Sequence, residues 1–204
     1  MLKDNSLLLF QGDSITDTGR TDSADPSASL GMGYPAKIAA KLTERGIKVI
    51  NRGISGNRTW DLLKRWDKEC IDLQPDYISL LIGVNDTWRS FDSNDITTAE
   101  QYENNMRQLL DRIVNETSAK IILINIFLLD VTPDKAQMHP DLRLKQEVIS
   151  RLIKDYDVTF VDIQALFDKM VADGTPMEEL SADGVHPTDF GHEVIAAEWL
   201  RCVL

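Results

Sequence analysis

Short apolar runs alternate along the chain with longer stretches in which apolar residues recur every three or four positions. The runs fall at residues 7–10, 47–50, 77–82, 121–129 and 158–161. Most are continuous rather than alternating, which is the pattern of strands covered on both faces. Between them, Ala99, Tyr102, Met106, Leu109, Leu110 and Ile113 form one helical stripe. Val148, Ile149, Leu152, Ile153 and Tyr156 form a second. A third passes through Phe190, Val194, Ala197 and Arg201, widened by Ile195 and Trp199. Pro35 suits a first helical turn, and Leu62, Leu63, Trp66 and Cys70 suit another helix. Trp60, Trp66 and Trp199 lie in these stripes and are expected in the core. The β-α alternation predicts an α/β protein, a doubly wound parallel sheet with helices on both faces. No repeat, low-complexity tract or linker breaks the pattern, so residues 1–204 are expected to form one domain.

Composition narrows the function classes. Of 204 residues, 43% are hydrophobic and 27% charged, ordinary usage for a chain that folds around a core. Lys plus Arg number 22 against 33 Asp plus Glu, a net charge of −11. A surface this acidic disfavours nucleic acid and anionic membrane as partners. Cys70 and Cys202 make neither a disulfide framework nor a metal-type spacing. The run at 7–10 is too short for a signal-peptide core, and no window approaches the ~18 apolar residues of a membrane span. A cytoplasmic protein is expected, with homo-oligomerisation left open. The most loop-like stretch, residues 16–33, carries Asp17, Asp22 and Asp25. Their spacing does not match a calcium-binding loop, so a solvated acidic loop is expected, with no metal and no cofactor.

In a doubly wound sheet, ligands bind beyond the carboxyl ends of the strands, at the switch in strand order. Four segments stand at or near such positions. Gln11-Gly12-Asp13-Ser14 follows the first strand and Gly53-Ile54-Ser55-Gly56-Asn57-Arg58 the second. Gly83-Val84-Asn85-Asp86-Thr87-Trp88-Arg89 follows the third, and Asp183-Gly184-Val185-His186-Pro187 precedes the last helix. A serine hydroxyl is a weak nucleophile that needs an adjacent base. His186 is the natural base for Ser14, because imidazole exchanges protons near neutral pH. Pro187 disfavours helical backbone at His186 and keeps it on the loop. Asp183, three residues earlier, can fold back to orient the imidazole, the third role of a triad. The Ser14 and Gly56 N–H groups and the Asn85 amide are candidate donors to a developing oxyanion. Trp88 and Arg89 are expected at the rim of the crevice as substrate-binding residues, Trp88 with its indole face open for stacking or else packed in the core. Asp13 is a further candidate for substrate binding or for the third acid, its place next to Ser14 favouring a turn-former. His139 and His192 are expected to be structural or surface groups.

Gly12-Asp13-Ser14, Gly53-Ile54-Ser55-Gly56, Gly83-Val84-Asn85-Asp86 and Asp183-Gly184-Val185-His186-Pro187 resemble, in order and over nearly the whole chain, the blocks of the SGNH (GDSL-type) hydrolases. The resemblance implies a flavodoxin-like three-layer α/β/α sandwich with a central five-stranded parallel sheet, and ester hydrolysis without a metal. It also implies Ser14 as nucleophile, His186 as base, Asp183 as its partner, and Gly56 and Asn85 as oxyanion donors. More finely, residues 8–20, 51–57 and 85–89 resemble the SGNH acetylxylan esterases. The expected substrate is then a small acetylated carbohydrate derived from xylan. Residues 128–144 match no motif and leave room for substrate contacts.

Two other readings stay open. One is a lysophospholipase or thioesterase on the same scaffold, with Arg20, Arg52, Arg58 and Arg89 as a basic patch for coenzyme A. The other is a non-catalytic module in which Gly12-Asp13-Ser14 cradles a phosphate at a helix N-terminus.

Overall fold

The computed structural model describes residues 2–23 and 29–204. Five parallel strands form one sheet in the order β2-β1-β3-β4-β5. These are β1 (Leu7–Gly12), β2 (Lys48–Asn51), β3 (Tyr77–Leu81), β4 (Lys120–Ile124) and β5 (Val158–Val161). The register pairs Leu8 with both Val49 and Tyr77, and Ile121 with both Ile78 and Val158. β3 is buried along its whole length, whereas the edge strands β2 and β5 are half-covered. This is why the central strands read as unbroken apolar runs.

Ten helices connect and cover the strands among the described residues. In chain order they are α1 (Ser14–Asp17), α2 (Tyr34–Leu42), α3 (Thr59–Glu69), α4 (Val84–Asp92), α5 (Ala99–Glu116), α6 (Pro133–Ala136), α7 (His139–Asp155), α8 (Ile163–Ala172), α9 (Met177–Leu180) and α10 (Asp189–Val203). α3, α5 and α7 pack side by side in one layer, and α2 packs on α10 in the other. Successive β1 side chains alternate between the layers. Phe10 meets Tyr34 of α2 and Trp199 of α10, and Gln11 donates to the Glu69 carbonyl at the end of α3. The result is a flavodoxin-like three-layer α/β/α sandwich. α5 follows its sequence pattern closely: Tyr102, Met106, Leu109, Leu110 and Ile113 are buried, and Thr98 and Gln101 close a reciprocal capping box. Among the described residues, no helix is long and apolar enough to cross a membrane.

Three expectations need correction. The run at 121–129 is not all strand. Asn125 N–H makes the last bond towards β5, to Val161 O. Ile126, Phe127, Leu128 and Leu129 continue as buried chain outside the sheet, where Leu128 N–H donates to Gln164 Oε1. Second, the buried stripe of α10 is Gly191, His192, Ile195, Ala196, Trp199 and Val203. Phe190 is 43% exposed, and Ala197 and Arg201 face outward. Two long side chains seven residues apart set this rotation. Trp199 donates its indole N–H to Ser79 Oγ (3.0 Å), and His192 accepts from Tyr34 N–H (3.3 Å). Third, Trp60 is not in the core. It is half-buried at the surface, with Arg58 and Lys64 against its ring.

Candidate active site

The first turn after β1 presents Ser14. Asp13 caps α1 and accepts from Ile15 N–H at 3.0 Å, and Asp17 N–H donates to Asp13 O at 2.8 Å. Ser14 is the first residue of that turn, so its own N–H has no partner within the helix. Its Oγ lies 3.0 Å from His186 Nε2.

His186 rides on a short loop that is folded on itself. Asp183 Oδ1 accepts from the N–H groups of Val185 (2.9 Å) and His186 (2.7 Å), and Oδ2 lies 2.8 Å from His186 Nδ1. Ser181 bridges to Pro187 across the base of the loop, and both Ser181 Oγ and Ala182 N–H bond the His186 carbonyl. Burial pushes the Asp183 carboxyl up, but those N–H bonds and the imidazole outweigh it and hold the group below its ordinary range. Gly184 makes the fold-back possible. Its φ is +91°, and a Cβ there would lie 2.2 Å from Leu129 O. Leu129 N–H donates to Gly184 O at 2.9 Å, so the buried chain after β4 is the bed on which this loop lies.

The loop after β2 is tied to the turn after β1. Ile54 N–H reaches Gly12 O, and Ser55 offers N–H and Oγ to Asp17 Oδ2. This leaves Gly56 with φ +81°, in open space apart from an Arg89 nitrogen 3.9 Å from where a Cβ would stand. The backbone conformation, not crowding, asks for glycine at this position. From β3, Asn85 sends one amide hydrogen to Asn57 O at 3.1 Å and keeps the other free to donate elsewhere. Ser14, His186 and Asp183 are thus in direct contact, and Gly56 and Asn85 flank the end of β1 from the neighbouring strands.

The three expected substrate-binding residues divide. Trp88 is half-buried, its ring centroid 5.8 Å from that of His186 and inclined at 51°. Arg89 is beside Gly56 and paired with Asp92. Asp13 cannot touch substrate, because it is fully buried beneath the turn. Burial pushes its carboxyl up to about 7, and its Oδ2 has no hydrogen-bond partner. Asp17 and Asp22 are engaged by Ser55 and Arg20, while Asp25 lies outside the described residues. Among the described residues, no three His, Cys, Asp or Glu side chains cluster so as to hold a metal ion.

Two neighbours escaped the sequence reading. Lys135, within the unmatched 128–144 segment, is 3% exposed. Its ammonium sits 4.3 Å from the Trp88 ring centroid and 2.6 Å from Asp134. A lysine in Thr-Pro-Asp-Lys carries no signal of burial. Asp86 is buried beside Asn85, where burial raises its carboxyl to about 6 against the opposing bonds from Thr59. It sits inside a quoted block, yet its partner Thr59 is 27 residues away.

A doubly wound sheet with serine, histidine and aspartate in contact at the end of its first strand is the architecture of an acyl-transfer hydrolase. Residues 10–194 match the GDSL-like lipase/acylhydrolase family. The chain belongs to that family and is a carboxylic ester hydrolase. It is 34% identical over 203 residues to an acetylxylan esterase of Geobacillus stearothermophilus, covering 95% of this chain and 92% of the relative. The solved structure of Axe2, an acetylxylan esterase from the same organism, superposes with a TM-score of 0.82 at 32% identity, covering 98% and 94% of the two chains. A Parabacteroides merdae structure described as a GDSL-like lipase gives 0.93 at 34% identity, covering 99% and 97%.

Proposed function

We propose that this protein is a serine esterase that removes acetyl groups from small carbohydrates, with xylan-derived oligosaccharides as the substrate class. The observation that carries the reading is the continuous chain Ser14 Oγ to His186 Nε2 (3.0 Å) and His186 Nδ1 to Asp183 Oδ2 (2.8 Å). In the proposed cycle Ser14 Oγ attacks the acetyl carbonyl while His186 Nε2 takes its proton. Asp183 holds the Nδ1–H tautomer and stabilises the imidazolium. The Ser14 and Gly56 N–H groups and the free Asn85 amide hydrogen receive the oxyanion. His186 returns the proton to the leaving sugar oxygen. A water deprotonated by His186 then attacks the acyl-serine, and the collapse of that second intermediate releases acetate and restores Ser14.

The relatives supply the substrate class. Besides the acetylxylan esterase, variants of Axe2 are described as acetyl-xylooligosaccharide esterases. Two structures described as catalytic mutants of that enzyme replace a serine and a histidine. A coenzyme A thioester is less well supported. Arg20, Arg58 and Arg89 each already engage an aspartate, which leaves less free positive charge for phosphates.

The test is acetate release from acetylated xylo-oligosaccharides by the native chain beside Ser14→Ala. Release by the native chain alone is expected. Equal release by the variant removes Ser14 as nucleophile. Hydrolysis of p-nitrophenyl acetate without release from the oligosaccharides keeps the esterase and moves its substrate elsewhere.

A further inference from the structure

Asp86 takes no part in the proposed cycle, yet its charged form is costly to hold in a fully buried site without a purpose that repays desolvation. Its hydrogen bonds all go to one residue. Thr59 N–H donates to Oδ2 at 3.0 Å, and Thr59 Oγ donates to Oδ1 at 2.6 Å. Thr59 is the first residue of α3, so its N–H is one that the helix itself cannot satisfy. From α5, Asn105 donates to the Thr59 hydroxyl at 3.0 Å and fixes its direction. Lys145 of α7 and Arg58 contribute positive charge that favours the ionised carboxyl.

The position of this tie in the chain is informative. Thr59 ends the loop that carries Gly56, and Asp86 is the immediate neighbour of Asn85. A second tie runs parallel to it, from the Asn85 amide to Asn57 O at 3.1 Å. Two adjacent residues in the first turn of α4 therefore grip residue 57 of the β2 loop and residue 59 at the start of α3. We propose that Asp86 is a positioning residue of the oxyanion site, its carboxylate locking Thr59 so that the Gly56 N–H and the Asn85 amide keep a fixed separation. The inference rests on the oxyanion reading above and adds to it the residue that sets the spacing. A misplacement of such donors on the scale of 1 Å is enough to lose about 10²-fold in rate.

The experiment is a double-mutant cycle on p-nitrophenyl acetate, with kcat and KM measured separately. Asp86→Ala and the milder Thr59→Val are each combined with Asn85→Ala, and Thr59→Ser is the conservative control. Asp86→Ala and Thr59→Val are expected to lower kcat with KM little changed, and Thr59→Ser to restore it. Combined with Asn85→Ala, their losses should fall short of multiplying by about tenfold, the scale of coupling within one network. Losses that multiply in full, or a kcat unmoved by Thr59→Val and Asp86→Ala, would overturn the role of Asp86 alone. An Asn85→Ala enzyme with native kcat would overturn the oxyanion reading itself, and this inference with it.

Discussion

Asp13 and Ser14 are neighbours in the chain, but their side chains stand in different surroundings. The Ser14 hydroxyl meets the crevice and His186, and the Asp13 carboxyl meets only protein. Its ordinary pKa of 3.8 rises to about 7 in the fold, with burial the main cause. Between those values the folded chain holds a proton that the unfolded chain has released. Folding stability therefore falls as pH rises through that window and levels above it. An Asp13→Asn variant still accepts the Ile15 N–H bond through its amide oxygen and is free of this burden. Its Tm relative to the native chain should climb from about pH 4 to about pH 7, then stay flat. A Tm difference that is constant with pH would show that the native carboxyl does not titrate in this range. Nothing in Gly-Asp-Ser reveals this inward turn. The same three residues suit a side chain at the rim, and only the packing over β1 decides.

The Asp183–Pro187 loop carries the element-scale lesson. Its contacts were legible, because an aspartate three residues before a histidine held off the helix by proline has few other shapes. Its support was not. The apolar run at 126–129 reads as strand, since burial and strand-type residues look alike whether a neighbour supplies a β-ladder or a loop. Leu129 N–H instead donates to Gly184 O, and Gly184, with φ +91° and no Cβ to meet Leu129 O, lets the loop lie flat on that segment. Gly184→Ala should disturb the Asp183–His186 geometry and lower kcat on p-nitrophenyl acetate by about tenfold or more, since small displacements of this kind are costly. Far-ultraviolet circular dichroism should stay native. Unchanged kcat would mean that the loop holds its shape without the glycine. The offset of α10 has a similar origin. Periodicity identified the helix, but its rotation depends on where Trp199 and His192 find partners, on β3 and α2.

At the scale of the whole molecule, the candidate site was readable because its chemical groups lie in short blocks, most of them at strand ends, and because the resemblance supplied a strand order with β1 between β2 and β3. What escaped were pairs made between distant segments, such as Asp86 with Thr59 and Lys135 with Trp88. No local pattern announces them. The net charge of −11 acts on everything that approaches. Acetylated oligosaccharides bearing uronic acids should show a kcat/KM that rises with added salt, while neutral ones stay level, as screening relieves repulsion. Equal salt response for both would mean that the field at the crevice is not set by the global charge. The bond between Ser14 and His186 spans 172 positions of chain. On the ribosome, Ser14 emerges 172 residues ahead of its proposed proton acceptor and would stay chemically idle until that residue is made. Only when the Asp183–Pro187 loop settles on the chain around Leu129 would the serine acquire a base. A newly made chain would thus be silent towards esters until its first strand and this late loop have come together, and the onset of turnover would clock that closure.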